Sequence, residues 1–304
     1  MVRVCPGGAV CAAGCRRIRP IRVGPGSVCR TRSGFRVDRQ RGSRCVSAGS
    51  SLMSSESVPV SIPATDWAQD LALLDEQTEK LRDAMADLDD VPIHEASMLP
   101  GWTRGHVLAH LDGNAQGIAR LGRWAADGIG RPMYISREVR DADVQMHAGR
   151  DARSHESSVT QSARALREDL GRLTEDQRAG EVTLGNGLRV RAASLARHRL
   201  QEVCVHHADL GLPGYTWRDW PEEMAAHMTR LVARDFAERG EFPVASIEWE
   251  STGGVDGDRL AIVPGDVHVL GSAPALLAWL LGRSAGEGLA ITGASQIPAA
   301  PTWR

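Results

Sequence analysis

The segment 103–126, TRGHVLAHLDGNAQGIARLGRWAA, decides how the rest of the chain is read. Val107, His110 or Leu111, Asn114 or Ala115, Ile118, Leu121 and Ala125 recur by threes and fours, the spacing that turns one face of an α-helix toward a core. The helix starts near Thr103, directly after LPGW. Its inward face is apolar except around His110 and Asn114.

Three further segments have the same grammar. Residues 65–89 place Trp67, Leu71, Leu74, Thr78, Leu81, Met85 and Leu88 in helical register, with Thr65 as a candidate cap. Residues 157–177 do so with Val159, Ala163, Leu166, Leu170 and Leu173. VTLGNGLRV (182–190) holds two short strand-like runs around GNG, a hairpin signal. A fourth helix over about 191–210 follows it and stops at Gly211, with Pro213 beyond. Four amphipathic helices predict a four-helix bundle over residues 60–212. The link 127–156, carrying RPMYISREVRDADV, reads as a loop long enough to be functional.

The pattern changes from residue 219. Asp219 can cap a helix reaching about Gly240, and short strand-like runs follow: SIEWES (246–251), RLAIVP (259–264), DVHVLG (266–271) and LAITG (289–293). SAPALLAWLLGR (272–283) reads as a helix between the last two. The expected class is therefore α+β and multidomain, a helical bundle followed by a small α+β domain over 219–304.

Residues 1–52 stand apart. They hold eleven Arg and one Asp, a charge of +10, so a total of −2 leaves −12 for the remainder. An acidic body argues against nucleic acid as a partner, and no run of about 18 apolar residues exists to span a membrane. Five of the six cysteines lie in this head, leaving Cys204 alone in the body. A body with one thiol forms no internal disulfide, as expected in a reducing cytoplasm. The chain has one lysine, Lys80, among 36 basic residues, the bias of a GC-rich gene. Residues 1–52 are expected to be an over-extended start, with MSSESVPVSIP at Met53 the natural one, or else a disordered tail.

The inward stripe of the fourth helix is Leu195, His198, Glu202, Val205 or His206, and Asp209. Glu202 and His206 are four apart and lie one above the other. Cys204 and His207 are turned off that line by about 200° and 100°. HVLAH on the second helix offers His106 and His110, again four apart. If the two helices pack together, His110, Glu202 and His206 converge on one point, and two His with one carboxylate is a catalytic zinc pattern. The alternative is a pair of solvated or salt-bridged helix faces, and spacing leaves both open. There is no H-E-x-x-H, no phosphate loop, no nucleophile elbow and no CxxC.

LPGWTRGHVLAHLDGNA (99–115), RPMYISREVRDADV (131–144), RLQEVCVHHADLG (199–211) and GSAPALLAWLLGR (271–283) resemble the mycothiol-dependent maleylpyruvate isomerases, a family within the DinB-like metal-binding bundles. The resemblance runs over nearly all of 60–304 in the same order and does not cover 1–52. It implies a zinc site held by His110, Glu202 and His206, which selects the second His of HVLAH over the first. It also implies an active-site role for Arg283 and, through the PMY segment, for Arg140. One departure is His207, where a member of the family has a small residue; no role follows for His106, His198 or His207.

The activity implied is mycothiol-dependent cis–trans isomerisation of maleylpyruvate to fumarylpyruvate, in aromatic breakdown through gentisate. The cofactors implied are zinc and mycothiol, and the partner is a small dicarboxylate. Since Cys204 faces away, the thiol that adds to the double bond must come from outside. Arg283, with Arg140 second, is expected to grip the dianionic substrate. Two alternatives share the motif: another mycothiol-dependent transferase, and a non-catalytic bundle that binds a metal or thiol.

Overall fold

The computed structural model of the chain describes residues 66–250 and 257–303. The expectations for 1–52, for Met53 and for Thr65 lie outside the described residues. Four long helices build the bundle: α1 (Trp67–Ala86), α3 (Arg104–Asp127), α5 (Ala152–Gly171) and α7 (Leu195–Asp209). Shorter ones, α2 (Asp90–Ile93), α4 (Arg137–His147) and α6 (Glu175–Ala179), lie in the connections, and β1 (Glu181–Thr183) pairs antiparallel with β2 (Arg189–Arg191). α3 packs against α5 and α7, and α1 against α7 and, more loosely, α5. Among the described residues no helix is long and apolar enough to cross a membrane.

Several boundaries differ from the sequence expectation, each for a local reason. Asp66 caps α1, its Oδ1 accepting from the N–H of Ala68 and Gln69 at 2.9 and 3.1 Å. α5 begins at Ala152, not near 157, because Asp151 caps it by accepting from Ser154 N–H at 2.7 Å. The loop expected at 127–156 contains α4, capped by Ser136, whose hydroxyl accepts from Val139 N–H at 3.2 Å. α7 is preceded by a 3₁₀ turn, Ala192–Ser194. Asp219 does not cap the next helix. It closes a 3₁₀ turn by accepting from Thr216 N–H at 2.8 Å, and α8 (Glu222–Glu238) starts after Pro221.

The end of α7 is a junction. Gly211 takes φ +64°, a left-handed turn that ends the helix, as its position in the sequence suggested. The Arg104 guanidinium donates to the Leu210 carbonyl at 2.8 Å, and Met98 N–H donates to the Asp209 carbonyl at 2.8 Å. The last turn of α7 is thereby fixed to the start of α3 and to the loop before it.

β3 (Ser246–Trp249), β4 (Asp258–Ala261), β5 (His268–Leu270) and β6 (Ala290–Thr292) form one mixed sheet in the order β4-β3-β5-β6, with β3 and β5 parallel and the other pairs antiparallel. Ile247 sits opposite both Leu260 and Val269, and all three are buried. α9 (Ala273–Leu280) packs against α8 and β3. The class is α+β, as expected. One apolar cluster runs from Leu74, Leu108 and Leu200 of the bundle through Phe236 and Ile247 to Trp279, so bundle and sheet share a core.

Candidate metal centre

α3 brings His110 and α7 brings Glu202 and His206 to one point. One ligand atom from each, all within 4.8 Å of one another, forms a group able to hold a metal ion. The His110 Nε2–H donates to Glu202 Oε2 at 2.9 Å, and His206 Nε2 lies 3.4 Å from the same oxygen. The two imidazole rings meet edge-on with centroids 4.7 Å apart. Trp102, from LPGW, packs against His110 with centroids 5.9 Å apart. The Glu202 side chain keeps 34% of its surface, while both histidines are largely covered. Two imidazole nitrogens and a carboxylate oxygen at this spacing fit a divalent metal with positions left for further ligands.

Behind the three candidate ligands stands a second row. The His206 Nδ1–H donates to Asp209 Oδ2 at 2.9 Å, which leaves Nε2 directed to the group. Asp209 is fully buried and accepts from Arg283 Nε and Nη2 at 3.0 and 2.9 Å. Arg283 Nη1 donates to the Leu281 carbonyl at 2.6 Å. A carboxylate on the far nitrogen of a ligating histidine fixes the ring and raises its basicity.

The electrostatics follow from burial set against pairing. Burial pushes His206 down, but the carboxylates of Asp209 and Glu202 outweigh it and raise it to about 9. Burial raises Glu202, but hydrogen bonds from His110 and His206 hold it well below the usual range. Asp209 is held low in the same way by His206 and Arg283. His110 is lowered, chiefly by burial. Without a metal, the His206 imidazolium serves as counter-ion to both acids.

The remaining polar residues of the two motifs fall away from the group. Cys204 is buried among apolar side chains, and burial pushes its thiol up to about 12. His207 stacks on Tyr215 with centroids 3.7 Å apart. His106 closes the α3 cap: its N–H donates to Thr103 Oγ1 and its Nδ1 accepts from Thr103 N–H at 3.2 Å. His198 lies one turn before Glu202, with its pKa lowered by burial.

Arg140, on α4, is 5.9 Å from the Tyr134 ring centroid and donates from Nε and Nη2 to Asp141. Its charge reaches His110, where it opposes protonation. Tyr134 was not singled out in the sequence. Its ring lies in a slot left by two glycines: a Cβ on Gly117 would meet it at 3.3 Å and one on Gly185 at 2.9 Å. Burial raises the Tyr134 phenol to about 12, so it stays protonated. Arg199 was also missed. It is buried on α7, and its Nη1 donates to the Leu111 carbonyl and Asn114 Oδ1 at 2.9 and 2.8 Å.

The family model of the mycothiol maleylpyruvate isomerase N-terminal domain matches residues 74–211, the stretch that supplies all three candidate ligands. Residues 74–211 are similar to this family. The matched stretch contains α3 and α7 whole. Two crystal structures are similar over more of the chain. One is described as the mycothiol-dependent maleylpyruvate isomerase, at 25% identity and a TM-score of 0.71, and covers 79% of this chain and 98% of its own. The other is a histidine-to-alanine mutant of the mycothiol-dependent maleylpyruvate isomerase, at 24% identity and a TM-score of 0.70, with the same coverage. No curated protein sequence matches.

Proposed function

We propose that the protein is a mycothiol-dependent maleylpyruvate isomerase that converts maleylpyruvate to fumarylpyruvate in the gentisate route of aromatic breakdown, in the cytoplasm. The observation that carries the reading is the convergence of His110, Glu202 and His206 within 4.8 Å, inside the stretch that matches the isomerase domain.

His110, Glu202 and His206 would hold a zinc ion, the metal suited to two imidazoles and a carboxylate. A zinc bound there would favour the thiolate form of mycothiol, and that thiolate would supply the nucleophile a cis–trans isomerisation needs. The chain's own residues set the stage. Asp209 holds the Nδ1 proton of His206 and keeps Nε2 available as a ligand. Arg283 holds Asp209, and through it acts on His206 as a positioning residue. It keeps one N–H on each of Nη1 and Nη2 beyond those bonds, enough for one contact to a substrate carboxylate. Arg140 supplies a second cation for the dianion, and its charge acts in the direction that stabilises a developing enolate. Trp102 packs edge-on against the His110 ring.

The test is direct. The full chain, loaded with zinc and given mycothiol and maleylpyruvate, should consume substrate absorbance. No turnover with mycothiol present refutes the isomerase. Turnover that survives His110→Ala refutes the ligand assignment.

A further inference from the structure

Tyr134 is held more firmly than a residue in a connection needs to be. Arg120, on α3, donates from Nε and Nη2 to the Met133 carbonyl at 3.0 and 2.6 Å, which ties the backbone of the PMY segment to the helix. Gly117 on α3 and Gly185 in the β1–β2 turn leave the slot for the segment, since a Cβ on Gly117 would meet Met133 at 3.0 Å and one on Gly185 would meet the Tyr134 ring at 2.9 Å. Arg140 stands over the ring, 5.9 Å from its centroid. The side chain is nevertheless half-buried and not sealed in the core.

The slot aims the ring at the candidate metal centre. His110, Asn114 and Gly117 are spaced by four and three along α3 and share one face of it. The ring rests on Gly117, and its hydroxyl has the Asn114 side chain as its hydrogen-bonding neighbour, one turn from His110. The Asn114 Oδ1 is already taken by Arg199 Nη1 at 2.8 Å, so Asn114 offers the phenol oxygen its amide N–H. The phenol O–H is therefore left to donate elsewhere. Glu202 acts on it by charge, and the charge of Arg140 acts on both Tyr134 and His110. Burial first, and then the Glu202 charge, keep the phenol protonated. Addition of any nucleophile to a C=C bond conjugated with a ketone moves negative charge onto the ketone oxygen, and a fixed donor aimed at that oxygen lowers the barrier.

We propose that Tyr134 is a further catalytic residue, whose O–H donates a hydrogen bond to the substrate ketone oxygen that becomes the enolate oxygen. It rests on the isomerase reading. The proton stays on the phenol oxygen throughout, so Tyr134 is a donor to the oxyanion and neither acid nor base.

Tyr134→Phe tests it, because the ring still fills its slot and only the hydroxyl is lost. In the full chain loaded with zinc and given mycothiol and maleylpyruvate, kcat should fall about 100-fold while KM changes by less than about threefold. Zinc affinity and the urea midpoint should keep their parent values. Calorimetric binding gives a readout apart from turnover. Acetylpyruvate, a diketo acid that forms a stable enolate, should bind the parent at least about tenfold more tightly than Tyr134→Phe. Pimelate, a saturated dicarboxylate of the substrate's chain length without keto oxygens, should bind both proteins alike. A kcat within about threefold of the parent overturns the proposal. So does equal binding of acetylpyruvate by the two proteins, or a loss that pimelate shares. A fall in zinc affinity in Tyr134→Phe also overturns it, since the phenol would then be a support for the metal ligands. If the parent chain turns over no maleylpyruvate, the isomerase reading fails, and the acetylpyruvate and pimelate comparison alone decides whether Tyr134 receives an oxyanion.

Discussion

Asp209 is the residue on which the candidate metal centre turns, although it is not itself placed as a ligand. It is fully buried, it takes the His206 Nδ1–H, and it is held by two nitrogens of Arg283. Asp209→Asn keeps the shape but removes the charge that orients and strengthens His206. Zinc affinity, measured by chelator competition, should fall by about 10–100-fold. An unchanged affinity would mean that His206 does not ligate through Nε2. His207, its neighbour in sequence, makes a different prediction. Burial lowers it to about 4 from an ordinary 6.5. Between those values the unfolded chain takes up a proton that the folded chain refuses, so stability falls as pH falls from 6.5 to 4. The slope from one such group is at most about 1.4 kcal/mol per pH unit. His207→Phe keeps the ring stack on Tyr215, and denaturant titrations at pH 4–7 should give it a shallower loss than the parent. The i, i+4 spacing of Glu202 and His206 was legible because both lie on one helix. The Asp209–Arg283 bond was not, because 74 residues separate its partners and no local period connects them. Arg199 was missed because an arginine in a helix is ordinarily solvated, and only the packed structure places it in the core.

At the scale of the element, the two histidines of HVLAH part company. His110 faces α7, while His106 is the third helical residue of α3 and completes its capping box. The Nε2–H of His106 also donates to Gln145 Oε1 at 3.3 Å, tying α3 to α4. His106→Ala should cost about 1 kcal/mol of stability in urea titration and leave zinc affinity unchanged. His106→Gln, a side chain common at this place in capping boxes, should recover most of the loss. A drop in zinc affinity without a drop in stability would return His106 to the ligand set. The long helices were readable because each buries a stripe. α4 was not, since Val144 is the one buried residue in its eleven and a helix with so narrow a contact writes no period into its sequence. Its visible signals were the cap at Ser136 and the acid at Glu138 in the first turn. α5 was placed late for a related reason: its first turn buries Ala152 and His155, which break the aliphatic pattern used to find it.

At the scale of the whole molecule, the sequence suggested a bundle ending near 212 and a separate domain from 219, because the pattern of apolar residues changes period there. Period reports local structure and is silent about which faces meet. In the fold, Phe236, Ile247, Trp249, Leu277 and Trp279 join the cluster that holds Leu74, Leu108 and Leu200. The Trp220 indole donates to the Cys204 carbonyl at 2.9 Å, and Arg283 reaches back from the end of α9 to Asp209 on α7. Removing either part would expose the buried apolar face of the other, at about 25 cal/mol per Å². Bundle and sheet should therefore unfold together. Urea titration followed by far-ultraviolet circular dichroism, which reports the helices, and by tryptophan fluorescence, to which Trp249 of β3 and Trp279 of α9 contribute, should give coincident midpoints. Arg283→Ala should lower zinc affinity while keeping the two midpoints together, because the shared core remains when the ion pair is lost. Two separated transitions in the parent chain would show an independent C-terminal domain. In that case the bond from Arg283 to Asp209 would be a contact between movable parts, and the affinity of the site would depend on whether they are closed.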